Sequence, residues 1–358
     1  MKKKGEGPSI KYYELSVKEV LHINASLSDK VDVGNAHTLK YKNSQKLSFQ
    51  GITPGHEDFV LPKTDIEGFP ENEREIFFPY LVGDEFLSGK DSERYILDFG
   101  KRNIIEAQKY SKAFSYIQDN ILPDREKAAR DDDGNTRSHH EGFLKKWWQL
   151  SYRRDSMQES LNELPQYIAC SRVTTRPIFF FVNSKVKPGD ALQVFSFSDL
   201  YSFGVLQSSA HYNWFHAKCS NMKSDPRYTS QSIFETFPWP QAPTTSQIES
   251  IAEAARYLCL LRENYIKEDG SSLRKMYKTL DLPGANPLKE AHKNLDKAVT
   301  KAYGFSPTKD ILGQLLELNE EVYQKIKNGK DATPPGLPGS YTEEKARRNV
   351  EPLGSDIG

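Results

Sequence analysis

Two stretches of the chain combine cations with hydroxyl groups and carry no acid, a pattern suited to contact with a polyanion. Residues 164–189 contain no Asp or Glu, while Arg172, Arg176, Lys185 and Lys187 are basic and Thr174 and Thr175 are hydroxylic. Residues 200–224 are acid-free as well, with Lys218, Lys223 and Ser224 inside the stretch and Arg227 and Tyr228 just beyond it. The chain as a whole is balanced, with 49 Lys plus Arg against 49 Asp plus Glu, so it is not a uniformly basic nucleic-acid binder. Local clearing of acids in such a chain favours phosphate contact. Arg or Lys beside Ser or Thr on a strand-edge loop also has the donors and acceptors to read guanine or adenine edges in the major groove. Acids are scarce in strand-rich cores too, so composition leaves chance standing as the alternative.

Catalytic chemistry finds little support. Methylation of adenine from S-adenosylmethionine needs a glycine-rich turn after a strand, plus an Asn/Asp-Pro-Pro-aromatic tetrad to hold the extruded base. Neither occurs; Asp225-Pro-Arg-Tyr228 places Arg227 where the second proline belongs. A metal-dependent nuclease needs acidic ligands on adjacent strands, whereas Pro123-Asp-Arg-Glu-Lys127 compresses its acids into what reads as a charged helix end. No Walker loop or Ser-His-Asp spacing is present, and His139-His140 falls in a polar loop. Cys170, Cys219 and Cys259 are scattered, without zinc spacing or a disulfide framework, and fit a reducing cytoplasm. The start leads into no apolar run, and the longest apolar stretches, such as Ile178 to Val182, are too short to span a bilayer. A cytoplasmic protein with no membrane partner and no metal is expected.

The elements that must position these residues follow from periodicity. With 37% hydrophobic residues the chain has enough apolar material for a packed core. Residues 1–45 show no strong pattern. Short strands are expected at Leu47–Gln50, Asp58–Leu61 and Arg94–Asp98. Tyr110, Phe114, Ile117 and Ile121 recur at helical spacing, with Pro123 closing the helix. The polar run Asp131 to Ser138 reads as a loop, and a second helix follows Phe143–Trp148 to about Leu164. Tyr167–Ser171, Ile178–Val182 and Leu192–Phe197 are the best strands, being rich in β-branched and aromatic residues. One helix is expected over Phe203–Lys218.

At Phe237-Pro-Trp-Pro240 the character changes. Ser246-Gln-Ile-Glu249 has the capping-box spacing, and Ile248, Ile251, Ala255, Leu258 and Tyr265 form an apolar stripe behind it. Helices near Leu288–Tyr303 and Thr308–Lys327 follow, and then a Pro/Gly-rich tail. The expected fold class is α+β: a mixed-sheet domain over residues 46–240, a small all-helical domain over 241–330 and a disordered tail over 331–358.

An ordered series of short matches adds a family. Phe203-Gly-Val-Leu-Gln-Ser-Ser-Ala-His-Tyr-Asn-Trp214, Met222-Lys-Ser-Asp-Pro-Arg-Tyr-Thr229 and Thr236-Phe-Pro-Trp-Pro240 resemble the end of the target-recognition domain in a family of large bacterial N6-adenine DNA methyltransferases. That family includes single-chain type II restriction–modification enzymes. Upstream, Leu47–Gly51, Phe78–Asp84 and Lys146–Gln149 with Arg153 and Arg154 keep the same order. Downstream, Leu273–Tyr277 and Ala291–Gly304 look like the family's C-terminal helical segment, so the likeness covers roughly residues 45 to 325.

The resemblance implies sequence-specific recognition of double-stranded DNA for methylation or restriction–modification. It also implies a methyltransferase domain, and in some members a nuclease domain, preceding this region. The catalytic domain, and S-adenosylmethionine with it, is therefore expected to be missing from this chain, whether as a truncated frame, a split-gene subunit or an expressed fragment. Lys223, Ser224, Arg227 and Tyr228 match the family's Lys-Ser-Asp-x-Arg-Tyr element: either they grip phosphates, or an Asp225–Arg227 pair and a buried Tyr228 fix a loop. Arg172, Thr174, Thr175 and Arg176 match a segment between two recognition-domain strands and are candidate base-edge readers, with ordinary surface polarity as the alternative. Arg153 and Arg154 contact phosphate or decorate a helix surface. The four tryptophans are expected in the core or at the domain junction, and His292 and Asp296, one helical turn apart, in a structural hydrogen bond. Two rivals remain: a complete methyltransferase with unfamiliar motifs, and a docking module for a separate methyltransferase or nuclease subunit.

Overall fold

The computed structural model describes residues 32–42, 45–83, 85–88, 92–130, 134–222, 225–269, 272–339 and 341. Two four-stranded sheets and a hairpin form the first part. Strands β1 (Ser48–Gln50), β8 (Leu192–Phe195), β5 (Gln166–Ser171) and β6 (Phe180–Asn183) pair antiparallel in that order. Strands β2 (Val60–Pro62), β4 (Arg94–Leu97), β3 (Phe77–Leu81) and β7 (Lys187–Pro188) make the second sheet, with β7 parallel to β3. The hairpin is β9 (Ser220–Met222) with β10 (Asp225–Arg227).

All six residues of β5 and all four of β8 are buried, so this sheet is covered on both faces, which is why its strands are nearly unbroken apolar runs. Of the buried polar residues on these strands, Gln193 on β8 donates to the hydroxyls of Ser48 and Ser230 at 2.8 and 2.7 Å. The two sheets meet where Gly51 crosses Gly189. A Cβ on Gly51 would lie 2.0 Å from the Gly189 carbonyl oxygen, so only glycine fits the crossing.

Several element boundaries differ from the sequence expectation, each for a local reason. Pro123 does not close the helix Ser111–Asn120; it sits in the first turn of the next one, Leu122–Ala128, where its missing N–H leaves no helical bond unmade. The helix expected after Trp148 begins only at Asp155 (Asp155–Asn162), with Arg154 before it in the left-handed region (φ 58°, ψ 51°), and a separate helix, Ser138–Leu144, starts at the end of the run expected as a loop. The helix expected over 203–218 is two, Leu200–Gln207 and Ser209–Lys218. Ser208 is extended between them (ψ 160°), and its hydroxyl accepts from the His211 N–H to start the second.

The helical part packs onto the first without a gap. Thr245–Asp269 presses Ile248, Ile251, Ala255 and Leu258, all fully buried, against Leu200–Gln207 and Pro287–Tyr303. Gly204 permits this approach, because a Cβ there would come 2.5 Å from Ile251 Cγ2. The capping box is real but starts two residues earlier than expected. The Thr244 N–H donates to Gln247 Oε1 at 2.8 Å, and the Gln247 N–H donates back to Thr244 Oγ1 at 3.3 Å. Buried Arg262 fastens the two parts together, donating to the Phe179 carbonyl (2.8 Å), Gln207 Oε1 (2.7 Å) and the Tyr277 hydroxyl.

A short helix, Leu273–Lys278, was not anticipated, and Ile311–Lys327 completes the helical part. His292 and Asp296 do not bond each other. His292 Nε2 meets the Tyr277 hydroxyl at 3.0 Å, and Asp296 Oδ1 accepts from the Ser209 N–H at 2.6 Å. The disorder expected from residue 331 does not hold for its first part: Thr333 exchanges hydrogen bonds with Gln241, and Tyr341 is buried with its hydroxyl 3.2 Å from Glu249. Residues 342–358 lie outside the described ones, as do 1–31. Trp147, Trp214 and Trp239 are buried as expected, and the half-buried Trp148 donates its indole N–H to the Arg102 carbonyl.

Candidate nucleic-acid interface

The chain leaving β5 stays extended through residues 172–174 and is gripped from both sides. The Arg172 N–H donates to the Ala191 carbonyl (2.9 Å), and its carbonyl accepts from the Tyr228 N–H (2.7 Å). Val173 bridges Arg227 in antiparallel register, and the Thr174 N–H donates to the Pro226 carbonyl (3.1 Å). Side chains of an extended chain alternate in direction. Arg172 accordingly points into one cleft, while Ser171 and Val173 line another.

The first cleft, about 650 Å³, has no carboxylate among the described residues of its lining, which include Lys46, Gln50, Tyr152, Arg153, Arg154 and Arg172. Arg172 donates from Nη1 to the Asp190 carbonyl at 3.2 Å, and its Nε–H is buried without a partner. Burial lowers its pKa, and Arg227 and Arg154 nearby lower it further against a weaker pull from Asp190. The Arg227 Nε–H is buried and unpartnered too. Two neighbouring guanidiniums thus have Nε–H donors without a partner among the described residues, and one of them, Arg172, lines a cleft whose described lining holds no carboxylate. Arg154 stands at the same cleft. Its guanidinium bonds Gln50 Oε1 (3.2 Å) and the Gly51 carbonyl (3.4 Å) and lies 5.1 Å from the centre of the exposed Tyr152 ring.

The sequence-predicted residues divide sharply. Arg172, Arg227 and Arg154 come together. Arg153 lines the cleft but is engaged by carboxylates, Asp98 at 3.0 Å and Asp155 at 2.6 Å. Asp98 is itself buried and holds Lys187 at 2.5 Å; burial alone would raise its pKa, but the two cations and the Gly100 N–H keep it below the usual carboxylate value. Thr174, Thr175 and Arg176 lie on the other cleft. The Thr174 hydroxyl is tied into a local turn, donating to the Arg176 carbonyl and accepting from the Arg176 N–H. Arg176 pairs with Asp281 at 3.3 Å and lies over the Tyr212 ring.

Tyr228 is a correction. It is fully buried, its ring stacks on Phe215, and its hydroxyl bonds His211 Nε2 at 2.9 Å, so it reaches no phosphate. Lys223 and Ser224 lie outside the described residues. Sequence reasoning missed Lys46 and Gln50 as site residues. They reach the cleft because β1 pairs with β8, some 145 positions later, and no local signal announces such a pairing.

Residues 225–228 do not form a pocket for an extruded adenine, since the tyrosine that would stack on the base is in the core. The closely approached glycines Gly51, Gly189 and Gly204 face protein atoms and not an open cradle. These residues do not fit S-adenosylmethionine. Among the described residues no three side chains of metal-ligand type gather, and no helix is long and apolar enough to cross a membrane. Asp124, in the nuclease-like run, bonds His56 Nε2 at 3.0 Å on a helix.

Comparison with known proteins gives the arrangement its place. The DNA methyltransferase A of Bacillus subtilis (strain 168) is 33% identical over 131 residues, covering 36% of this chain and 14% of that protein. The type IIL restriction–modification enzyme MmeI, solved in complex with DNA, superposes with a TM-score of 0.66 at 23% identity, covering 86% of this chain and 39% of the enzyme. This chain therefore spans a minor part of both. The family profile "MmeI, target recognition domain" matches residues 44–241, including every residue of the first cleft, and "MmeI, C-terminal domain" matches residues 243–327. The chain belongs to the MmeI family, of which it carries the target recognition and C-terminal domains.

Proposed function

We propose that this chain reads a specific sequence in double-stranded DNA for an adenine-specific methylation or restriction–modification system, the chemical step being performed by a catalytic domain or subunit outside it. The observation that carries the reading is Arg172, at a cleft whose described lining has no carboxylate, with the like charge of Arg227 acting on it and both Nε–H donors without a partner among the described residues. A DNA phosphate supplies the missing acceptor and the missing charge. Arg154, Gln50 and Lys46 flank it with further donors. Arg and Gln have the donor geometry to read guanine and adenine edges, so base reading is reassigned from Thr174 and Arg176, which serve a turn and an ion pair, to Arg154 and Gln50.

The test is binding of the purified chain to random-sequence duplex DNA at two salt concentrations, followed by sequencing of the bound pool. Enrichment of a short motif, with affinity falling as salt rises, is expected. Absence of binding at low salt sinks the reading. Arg172→Gln should weaken binding to all sequences alike, while Arg154→Gln should relax preference at one base position, at a cost of about 1–3 kcal/mol.

Docking of a separate methyltransferase or nuclease subunit is a second reading, compatible with the first. Tyr257 and Leu260, exposed on the outer face of Thr245–Asp269, favour it. Co-purification with a catalytic chain, abolished by Tyr257→Asp, would support it.

A further inference from the structure

Arg154 breaks two local rules at once. Its backbone is left-handed (φ 58°, ψ 51°), a region that residues other than Gly, Asn and Asp seldom adopt. It is also the N-cap of the helix Asp155–Asn162, where Ser, Thr, Asp or Asn would normally accept from a free N–H and an arginine side chain accepts nothing. A residue in such a conformation persists only where its surroundings hold it there.

The surroundings hold Arg154 through its side chain. Nε donates to the Gly51 carbonyl at 3.4 Å and Nη2 to Gln50 Oε1 at 3.2 Å, so protein clamps one edge of the guanidinium. The Gln50 amide is fixed in turn: its Nε2 donates to the Asp190 carbonyl at 3.3 Å, the same oxygen that accepts from Arg172 Nη1 at 3.2 Å. That carbonyl stands beside Gln50 because Gly51 crosses Gly189 with no room for a side chain. Tyr152 supports another side. Its N–H and carbonyl bond Thr53 at 3.0 and 3.1 Å, its ring meets Phe143 in a T-shaped contact, and the Arg154 guanidinium lies 5.1 Å from its centre. Unlike Arg153, Arg154 has no carboxylate partner among the described residues. Its Nη1, and with it the far edge of the fork, takes no acceptor among them either, and Arg154 lines the first cleft.

A guanidinium edge with two parallel N–H groups matches O6 and N7 of guanine, the one base that offers two acceptors side by side in the major groove. We infer that Arg154 reads one guanine of the recognised sequence through that edge, and that Gln50 and Tyr152 are positioning residues that keep it in reading posture before DNA arrives. This rests on the DNA-recognition reading above and gives Gln50 its share in it, since Gln50 acts through Arg154. A long side chain held in its bound posture loses less rotamer freedom on binding. The left-handed backbone is what that posture costs the free protein. The shared Asp190 carbonyl ties the reader to Arg172, so base reading and phosphate grip stand in one fixed register.

The experiment takes the motif selected by the unsubstituted chain and replaces each guanine in turn by 7-deazaguanine, which keeps the base pair and lacks the N7 acceptor. At one guanine the replacement should weaken binding roughly tenfold. Arg154→Ala should bind the unmodified motif more weakly and be indifferent to the replacement there. Gln50→Leu should lose the same sensitivity at an unchanged salt slope, because no charge is removed. Gln50→Glu, which retains the acceptor for Nη2, should restore it at lower overall affinity. Tyr152→Leu should lessen the sensitivity, and Tyr152→Phe should restore it. Arg154→Gly relieves the backbone, so it should melt no lower than the unsubstituted chain and select a motif degenerate at that guanine. A motif without guanine, or one whose guanines all tolerate the replacement, overturns the inference and leaves sequence recognition standing. Full sensitivity in Arg154→Ala assigns the guanine to another residue and overturns it too, and full sensitivity in both Gln50→Leu and Tyr152→Leu overturns the positioning roles. A chain that selects no motif overturns this inference and the recognition reading together.

Discussion

Asp98 and Arg172 mark two cation-rich regions of the same fold with opposite electrostatic accounts. Around Asp98 every charge is answered: Arg153 and Lys187 converge on one buried carboxylate, and Arg153 takes Asp155 as well. Around Arg172 the answer is incomplete: Asp190 pulls on it, but Arg227 and Arg154 are both cations, and two Nε–H donors have no partner among the described residues. A closed cluster fixes structure, because removing one member strands the others. An open one is a standing cost to the free protein, relieved only when an anion arrives. Arg262 shows that burial does not separate the two kinds. It is at least as buried as Arg172 and its Nε–H likewise has no partner among the described residues, yet it is enclosed by Phe203 and Tyr277 and donates to three acceptors, so an open Nε–H marks an anion site only beside a cleft.

The comparison breaks most visibly at Asp98. Asp98→Asn leaves Arg153 and Lys187 without their shared carboxylate and should destabilise the chain by about 3–5 kcal/mol in denaturant unfolding. A loss below about 1 kcal/mol would mean the cluster is not structural. Acid should find the same kind of weakness elsewhere in the interior. Burial keeps His211 and His292 neutral, each down to about 3, while an unfolded histidine titrates near 6.5. As the pH falls below about 6.5 the unfolded chain takes up these protons first. Stability should therefore be at its plateau above about 6.5 and decline toward about 3. A melting temperature flat from pH 7 to 4 would contradict it.

Arg227→Gln should behave in the reverse sense. It removes a like charge from beside Arg172, so melting is expected to hold or rise slightly, while affinity for DNA falls about tenfold. A variant that lost stability and kept affinity would move Arg227 into the structural class with Arg153.

This division is the part of the molecule the sequence conceals. The stripe Ile248, Ile251, Ala255, Leu258 and the apolar strands β5 and β8 were legible, because their periodicity is local and burial enforces it. The break at Ser208 was not, since one residue leaving the helical region scarcely changes a pattern. Arg153 and Arg154 are neighbours in sequence and share a cleft, yet only the first has carboxylates, and its Asp98 comes from 55 residues away. Arg176 was read as a base reader because Asp281, 105 residues on, gives no local sign of its approach. Basic and hydroxyl residues in an acid-free stretch thus marked side chains that line the two clefts, while which of them are already engaged was decided by distant partners.

Tyr228 offers the finest test, because it sits one residue from Arg227 and on the other side of the divide. Its hydroxyl has a single use, the 2.9 Å bond to His211, and its ring is packed between Phe195 and Phe215. Tyr228→Phe keeps the ring and removes that bond, so it should cost about 1 kcal/mol of stability. Burial without its partner hydroxyl should hold His211 at least as firmly neutral, so the acid-side decline should keep its position on the pH axis. DNA affinity, salt slope and selected motif should all be unchanged, since no part of Tyr228 reaches either cleft. If affinity fell as far as in Arg227→Gln, the Tyr228–His211 bond would be holding the segment 225–228 in its binding shape. The boundary between structural and anion-binding residues would then run through that segment itself.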